Sequence, residues 1–126
     1  MTQVMIHPAS YENVRQAVDR AFEHFSLKLQ DKRVLIKPNV LRASHWNEGI
    51  VTHPSVLKAV VEKIETMDPA SIIVGDNPGL FSYGANEESF EKTGLMDAAG
   101  GHYENIGNDS VNVDFNPDFF TLGESL

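Results

Sequence analysis

Lys37, Asn39, Thr52, His53, Asp76 and Asn77 all sit where apolar stretches give way to polar ones, and their chemistry suits a small anionic molecule. A lysine supplies a point charge with three donors, and asparagine and threonine supply directional hydrogen bonds. A helix opening at Thr52-His53-Pro54 would add the unpaired amides and positive dipole of its first turn. Asp76 brings a carboxylate that could pair with Lys37, act on a substrate, or join His45 and His53 around a divalent metal.

Each residue also has a plainer reading. Lys37 can be a strand-end cation that reaches solvent or pairs with Asp76. Asp76 can form a turn by bonding its own backbone. His53 suits a helix cap or a rim position. Gly75 and Gly79 are explained by turn geometry, and the glycine fingerprints of dinucleotide and nucleoside-triphosphate sites are absent. His45 and His53 lack the spacing of a strong metal motif, so the site is expected to be metal-free. His7, His24 and His102 carry no signal. Trp46, alone in a loop, is expected to cover the rim.

The elements that must place these residues follow from the apolar pattern. Val34 to Lys37 and Ser71-Ile72-Ile73-Val74-Gly75 are short strands without polar alternation in their apolar runs, as in a parallel sheet covered on both faces. Pro38 removes a ladder donor and ends the first of them. Gln3-Val4-Met5-Ile6 reads as a further strand at the start. Val14, Val18, Ala21, Phe22 and Phe25 form one stripe of a helix from Tyr11 to about Phe25, with Ser10 as its cap. Val56, Leu57, Val60, Val61, Ile64 and Met67 mark a second helix, ended by Asp68-Pro69. Asn39 to Thr52 is a long connection, of the kind that often carries function. Glu87 to Lys92 and Leu95 to Ala99 read as short helices, capped by Gly100-Gly101. His102 to Ile106 and Val111 to Phe115 read as short strands. Pro78-Gly79 has the order of a type II turn.

Strand and helix alternating in this way predict a three-layer α/β/α fold with a mainly parallel sheet, Rossmann-like in class. In such sheets ligands bind beyond the carboxyl ends of the strands. Lys37-Pro38-Asn39 and Asp76-Asn77 would then share one rim.

At 126 residues the chain is expected to form one domain with a real core, and 41% hydrophobic against 22% charged content argues against disorder. A formal charge of -8 disfavours nucleic acid as a partner. With no cysteine, the chain can form neither disulfides nor thiolate-ligated clusters. The first residues lack a secretory pattern and no apolar run is long enough to span a bilayer, so a cytoplasmic protein without membrane contact is expected.

Three blocks, Val34-Leu35-Ile36-Lys37-Pro38-Asn39, Thr52-His53-Pro54 and Val74-Gly75-Asp76-Asn77-Pro78-Gly79, resemble in content and order the uncharacterised family called domain of unknown function 362. Phe90-Glu91-Lys92-Thr93-Gly94-Leu95 is similar to a later block of that family. The likeness runs from about Arg33 to Asn105, and it departs at Asn77, where members usually have serine. It implies Lys37, Asn39, Thr52, His53 and Asp76 as motif positions, without naming a reaction. It also implies a longer parent, since members continue into a lysine- and histidine-containing block and often carry ferredoxin-like iron–sulfur segments. A 4Fe-4S cluster would then belong to a missing segment, and this chain would be an N-terminal part.

Two functions follow as expectations. One is a redox-linked protein's domain that binds an unknown anionic small molecule at the rim. The other is a non-catalytic scaffold, docking with a missing C-terminal half, another subunit or a second copy. Whether the protein is an enzyme is left open by the sequence.

Overall fold

A strand forms only where another strand can share its ladder, and this condition sets the sheet of the computed structural model, which describes residues 2–78 and 86–108. Arg33–Ile36 (β1) and Ser71–Val74 (β2) pair in parallel, with Val34 beside Ile72 and Ile36 beside Val74. The crossover between them contains the helix Pro54–Glu65 (α2). These are the only paired strands among the described residues. The parallel α/β class expected from the sequence holds, whereas a three-layer, Rossmann-like stacking is not confirmed by two strands.

The first expected strand does not form. Gln3 to Ile6 has no assigned ladder, and Val4 and Ile6 are 78% and 94% exposed. Three apolar residues ahead of His7-Pro8 cannot sustain extended structure without a partner edge. Coverage on both faces also fails for β1, because Leu35 is 55% exposed. Val34 and Ile36 face inward, and Arg33 and Leu35 face outward.

The first helix is Val14–His24 (α1), which starts about one turn after the expected Tyr11, at the first residue of its apolar stripe. Ser10 does not cap it. Its N–H donates to Asn13 Oδ1 at 2.7 Å, and Asn13 holds the cap position without a side-chain bond to the helix. Only Val18 of α1 is buried, and the helix packs on α2. The Arg15–Glu62 and Asp19–Lys63 pairs cross this contact, but such exposed pairs contribute little.

The core lies on the inner face of the sheet. Leu57 and Val61 of α2 meet Val74, Phe90, Leu95, Ala98 and Ala99, with Val40 and Val51 closing one end. Phe90 and Leu95 come from the short helices Asn86–Thr93 (α3) and Leu95–Ala98 (α4). Gly94 separates them with φ 76, a conformation glycine adopts without a Cβ penalty. Gly100 and Gly101 then end α4 as expected. Of the strand expected at His102 to Ile106, only a bridge from Val74 to Tyr103 exists, followed by a 3-10 turn at Ile106–Asn108. The strand expected at Val111 to Phe115 and the turn at Gly79 lie outside the described residues. No helix among the described residues is long and apolar enough to cross a membrane.

Candidate functional site

Asp76 follows β2 by two residues and turns its carboxylate inward, where it is 5% exposed. A carboxylate so placed needs donors, and it has three. Oδ2 accepts from the Val40 N–H at 2.8 Å, and Oδ1 accepts from the Asn77 N–H at 2.9 Å. Lys37 Nζ lies 2.9 Å from Oδ1, with its own side chain 62% exposed. Asp76 thus ties the end of β2 to the chain leaving β1. The structure brings Lys37, Asp76 and Asn77 together where β1 and β2 end.

Asn39 and Thr52 are brought together, but mainly on each other. The Asn39 N–H donates to Thr52 Oγ1 and the Thr52 N–H to the Asn39 carbonyl, both at 2.9 Å. Asn39 Nδ2 also donates to the Ile50 carbonyl at 3.1 Å. With the antiparallel bridge of Val40 to Val51, these bonds close the 39–52 connection at its base. The connection is therefore not structureless. At its tip Trp46–Glu48 forms a 3-10 turn in which His45 Nδ1 accepts from the Asn47 N–H and Glu48 Oε1 accepts from the His45 N–H.

His53 caps α2. Its Nδ1 accepts from the Ser55 N–H at 3.2 Å and lies 2.8 Å from Ser55 Oγ, and Pro54 follows at the first helical position. An accepting Nδ1 puts the ring hydrogen on Nε2. The Val56 and Leu57 amides turn to the His53 carbonyl. The first-turn amides expected to meet an anion are thus already bonded, and α2 offers its dipole alone.

The ring of His53 is clamped. Tyr11 stacks on it at 3.7 Å with planes 8° apart, and Trp46 meets it edge-on at 4.4 Å. Trp46 thus packs at the start of α2, and His45 lies 4.9 Å from it. Tyr11 was not legible as a site neighbour, since it lies outside the apolar stripe and far away in sequence. Beside it, a hydrogen bond from the Ser10 side chain holds the Glu12 carboxyl below the ordinary carboxylate value, helped by its own backbone N–H.

A second polar group was also missed. Asn86, 2% exposed, donates from Nδ2 to Asn105 Oδ1 at 2.7 Å, and the Gly107 N–H donates to the same oxygen at 3.2 Å. Asn77 Oδ1 reaches this cluster, 3.5 Å from where a Cβ on Gly107 would stand. Isolated asparagines spread over thirty residues give no periodic signal. His45, His53 and Asp76 do not converge, and the described residues hold no group of three His, Asp or Glu able to ligate a metal.

The family model described as Domain of unknown function (DUF362) matches residues 34–119. The chain belongs to that family. No curated protein and no solved structure matches it. The DUF362 match spans all but the first residue of β1, and all of α2, β2, α3 and α4, so every rim residue named above lies inside it. The resemblance seen in the three sequence blocks therefore extends over most of the chain.

Proposed function

We propose that this DUF362 domain binds a small anionic molecule where β1 and β2 end, with Lys37 as the group that meets the anion. The observation that carries this reading is the asymmetry of the Lys37–Asp76 pair. Asp76 is buried and its side chain is fully committed, while Lys37 is held at 2.9 Å and stays 62% exposed. One of the three ammonium donors serves Asp76, and two remain for a ligand. Asn77, with an exposed side chain at the same edge, is the second polar contact. Asn39, Thr52 and His53 act in this reading as positioning residues, because their groups are spent on holding the loop and the start of α2.

The place of such a domain in a redox-linked protein is supported by the family resemblance alone. A thiolate-ligated iron–sulfur cluster does not fit this chain, which has no cysteine, so any such group would be held by another segment or subunit. A cytoplasmic setting remains part of the same proposal.

Amide-resolved NMR titration with inorganic phosphate and with citrate tests the anion site. Shifts concentrated at Val40 and Asn77, and lost in Lys37→Ala, are expected. Absence of shifts, or shifts that persist in Lys37→Ala, would overturn the reading.

A second reading, a non-catalytic interaction domain, is favoured by the exposure of Leu35 on β1. Leu35 shares that outer face with the exposed Arg33, so a partner there would meet one apolar and one charged side chain.

A further inference from the structure

Among the described residues, the outer edge of β1 carries main-chain groups with no strand to receive them. The Gly75 N–H donates to the Ile36 carbonyl and the Ser71 N–H to the Lys32 carbonyl, so the even-numbered residues of β1 face β2. Alternation in a parallel ladder turns the N–H and C=O of Arg33 and Leu35 to the other edge. No strand pairs there among the described residues. The side chains of Arg33 and Leu35 also share the sheet face away from the core, and both are exposed.

Charge sets what this edge can accept. Lys28, Lys32 and Arg33 all lie in or just before β1, all are exposed, and none makes an ion pair among the described residues. With the exposed Asp31 counted, residues 28–33 hold three cations and one anion on a chain whose formal charge is -8, so the approach to β1 is locally basic. Cations on an edge keep two identical edges apart, which disfavours a second copy as the occupant.

We infer that the outer edge of β1 binds an extended acidic segment of a partner protein by strand addition. The added strand bonds the outward-turned N–H and C=O groups of Arg33 and Leu35. It sets an apolar residue beside Leu35, carboxylates toward Arg33, Lys32 and Lys28, and apolar residues on the inner face next to Val34 and Ile36. This deepens the interaction-domain reading and uses no residue of the Lys37 rim.

The probe is the fluorescein-labelled heptapeptide Glu-Val-Glu-Val-Leu-Val-Glu, capped at both ends and titrated against the full chain by anisotropy. It is expected to bind at least about tenfold more tightly than its lysine-for-glutamate counterpart, because charge complementarity selects the partner. N-methylation of alternate peptide amides removes ladder donors without altering the protein, and it is expected to abolish binding. Arg33→Glu, checked for folding by circular dichroism, is expected to weaken binding about tenfold or more, while Lys58→Glu on α2 leaves it unchanged. No binding, equal binding of the lysine peptide, or survival of binding after N-methylation would overturn the inference. Loss of phosphate binding at Lys37 would not bear on it.

Discussion

Lys37 and Asp76 meet at 2.9 Å across the ends of two parallel strands, and only the carboxylate is buried. The two partners therefore carry different duties. Asp76 anchors backbone, and Lys37 faces outward.

Substitution at the two positions should separate these duties. Asp76→Asn places an amide NH2 where two N–H donors and an ammonium now converge, leaving at least one buried donor unpaired. A loss of about 1–3 kcal/mol is expected. Lys37→Met removes an exposed partner and should cost under about 1 kcal/mol. Urea denaturation of both variants checks this, and equal losses would show that Lys37 is part of the anchor.

Gly75 leaves no room for a side chain. A Cβ there would stand 2.7 Å from Ile106 Cγ2 and 2.8 Å from the Glu104 carbonyl oxygen. The carbonyl belongs to backbone and cannot swing away, so Gly75→Ala is expected to destabilise by about 1–3 kcal/mol. Thermal unfolding measures it, and the amide signals of Glu104 to Asn108 should shift.

His53 combines a cap with an aromatic clamp. His53→Ala loses the Ser55 bond, for about 0.5–2 kcal/mol, and the Tyr11 and Trp46 contacts, for about 0.5–1.5 kcal/mol more per pair. His53→Asn keeps a good capping side chain and loses only the clamp. Chemical denaturation of the two variants, with Trp46 fluorescence as a second readout, should place His53→Asn between wild type and His53→Ala.

Tyr103 gives the chain an alkaline limit. Burial, and then the charge of Glu87, raise its phenol above the ordinary value. The unfolded chain deprotonates first, so this contribution is fully present below about pH 10, the unperturbed tyrosine value, and is lost as pH rises through the folded-state pKa. The hydroxyl is also shielded without a hydrogen-bond partner among the described residues. Tyr103→Phe should therefore match or exceed wild-type stability at pH 7 and show a shallower loss above pH 10. Melting curves between neutral and alkaline pH decide it, and parallel losses in both proteins would refute the assignment.

At the acid end, Glu88 is lowered by its hydrogen bond to Lys92 and then by that residue's charge. Its share of stability is present above the unfolded carboxylate value and fades as pH falls through the folded one. Because the pair is fully exposed, salt should screen it. Glu88→Gln should reduce the salt sensitivity of acid unfolding, measured by circular dichroism.

The sequence by itself determined the local elements that have short-range causes. Pro54 and the residue before it fixed the start of α2, Gly94 the break between α3 and α4, and the polar stops at Lys37 and Asp76 the ends of both strands. Each cause acts within a few residues, through capping, positive φ or a missing N–H. The same blocks also identified the family. Tertiary structure alone decided the pairings. Gln3 to Ile6 has the composition of a strand but no edge to join, and Leu35 belongs to an apolar run whose outer face stays open. It also spent Asn39, Thr52 and the α2 amides on the loop, moved Tyr11 onto His53, and left Lys37 as the exposed charge. The physical reason is common to all of them. A hydrogen-bonding group or an apolar face has no fixed role until its partner arrives, and those partners lie tens of residues away.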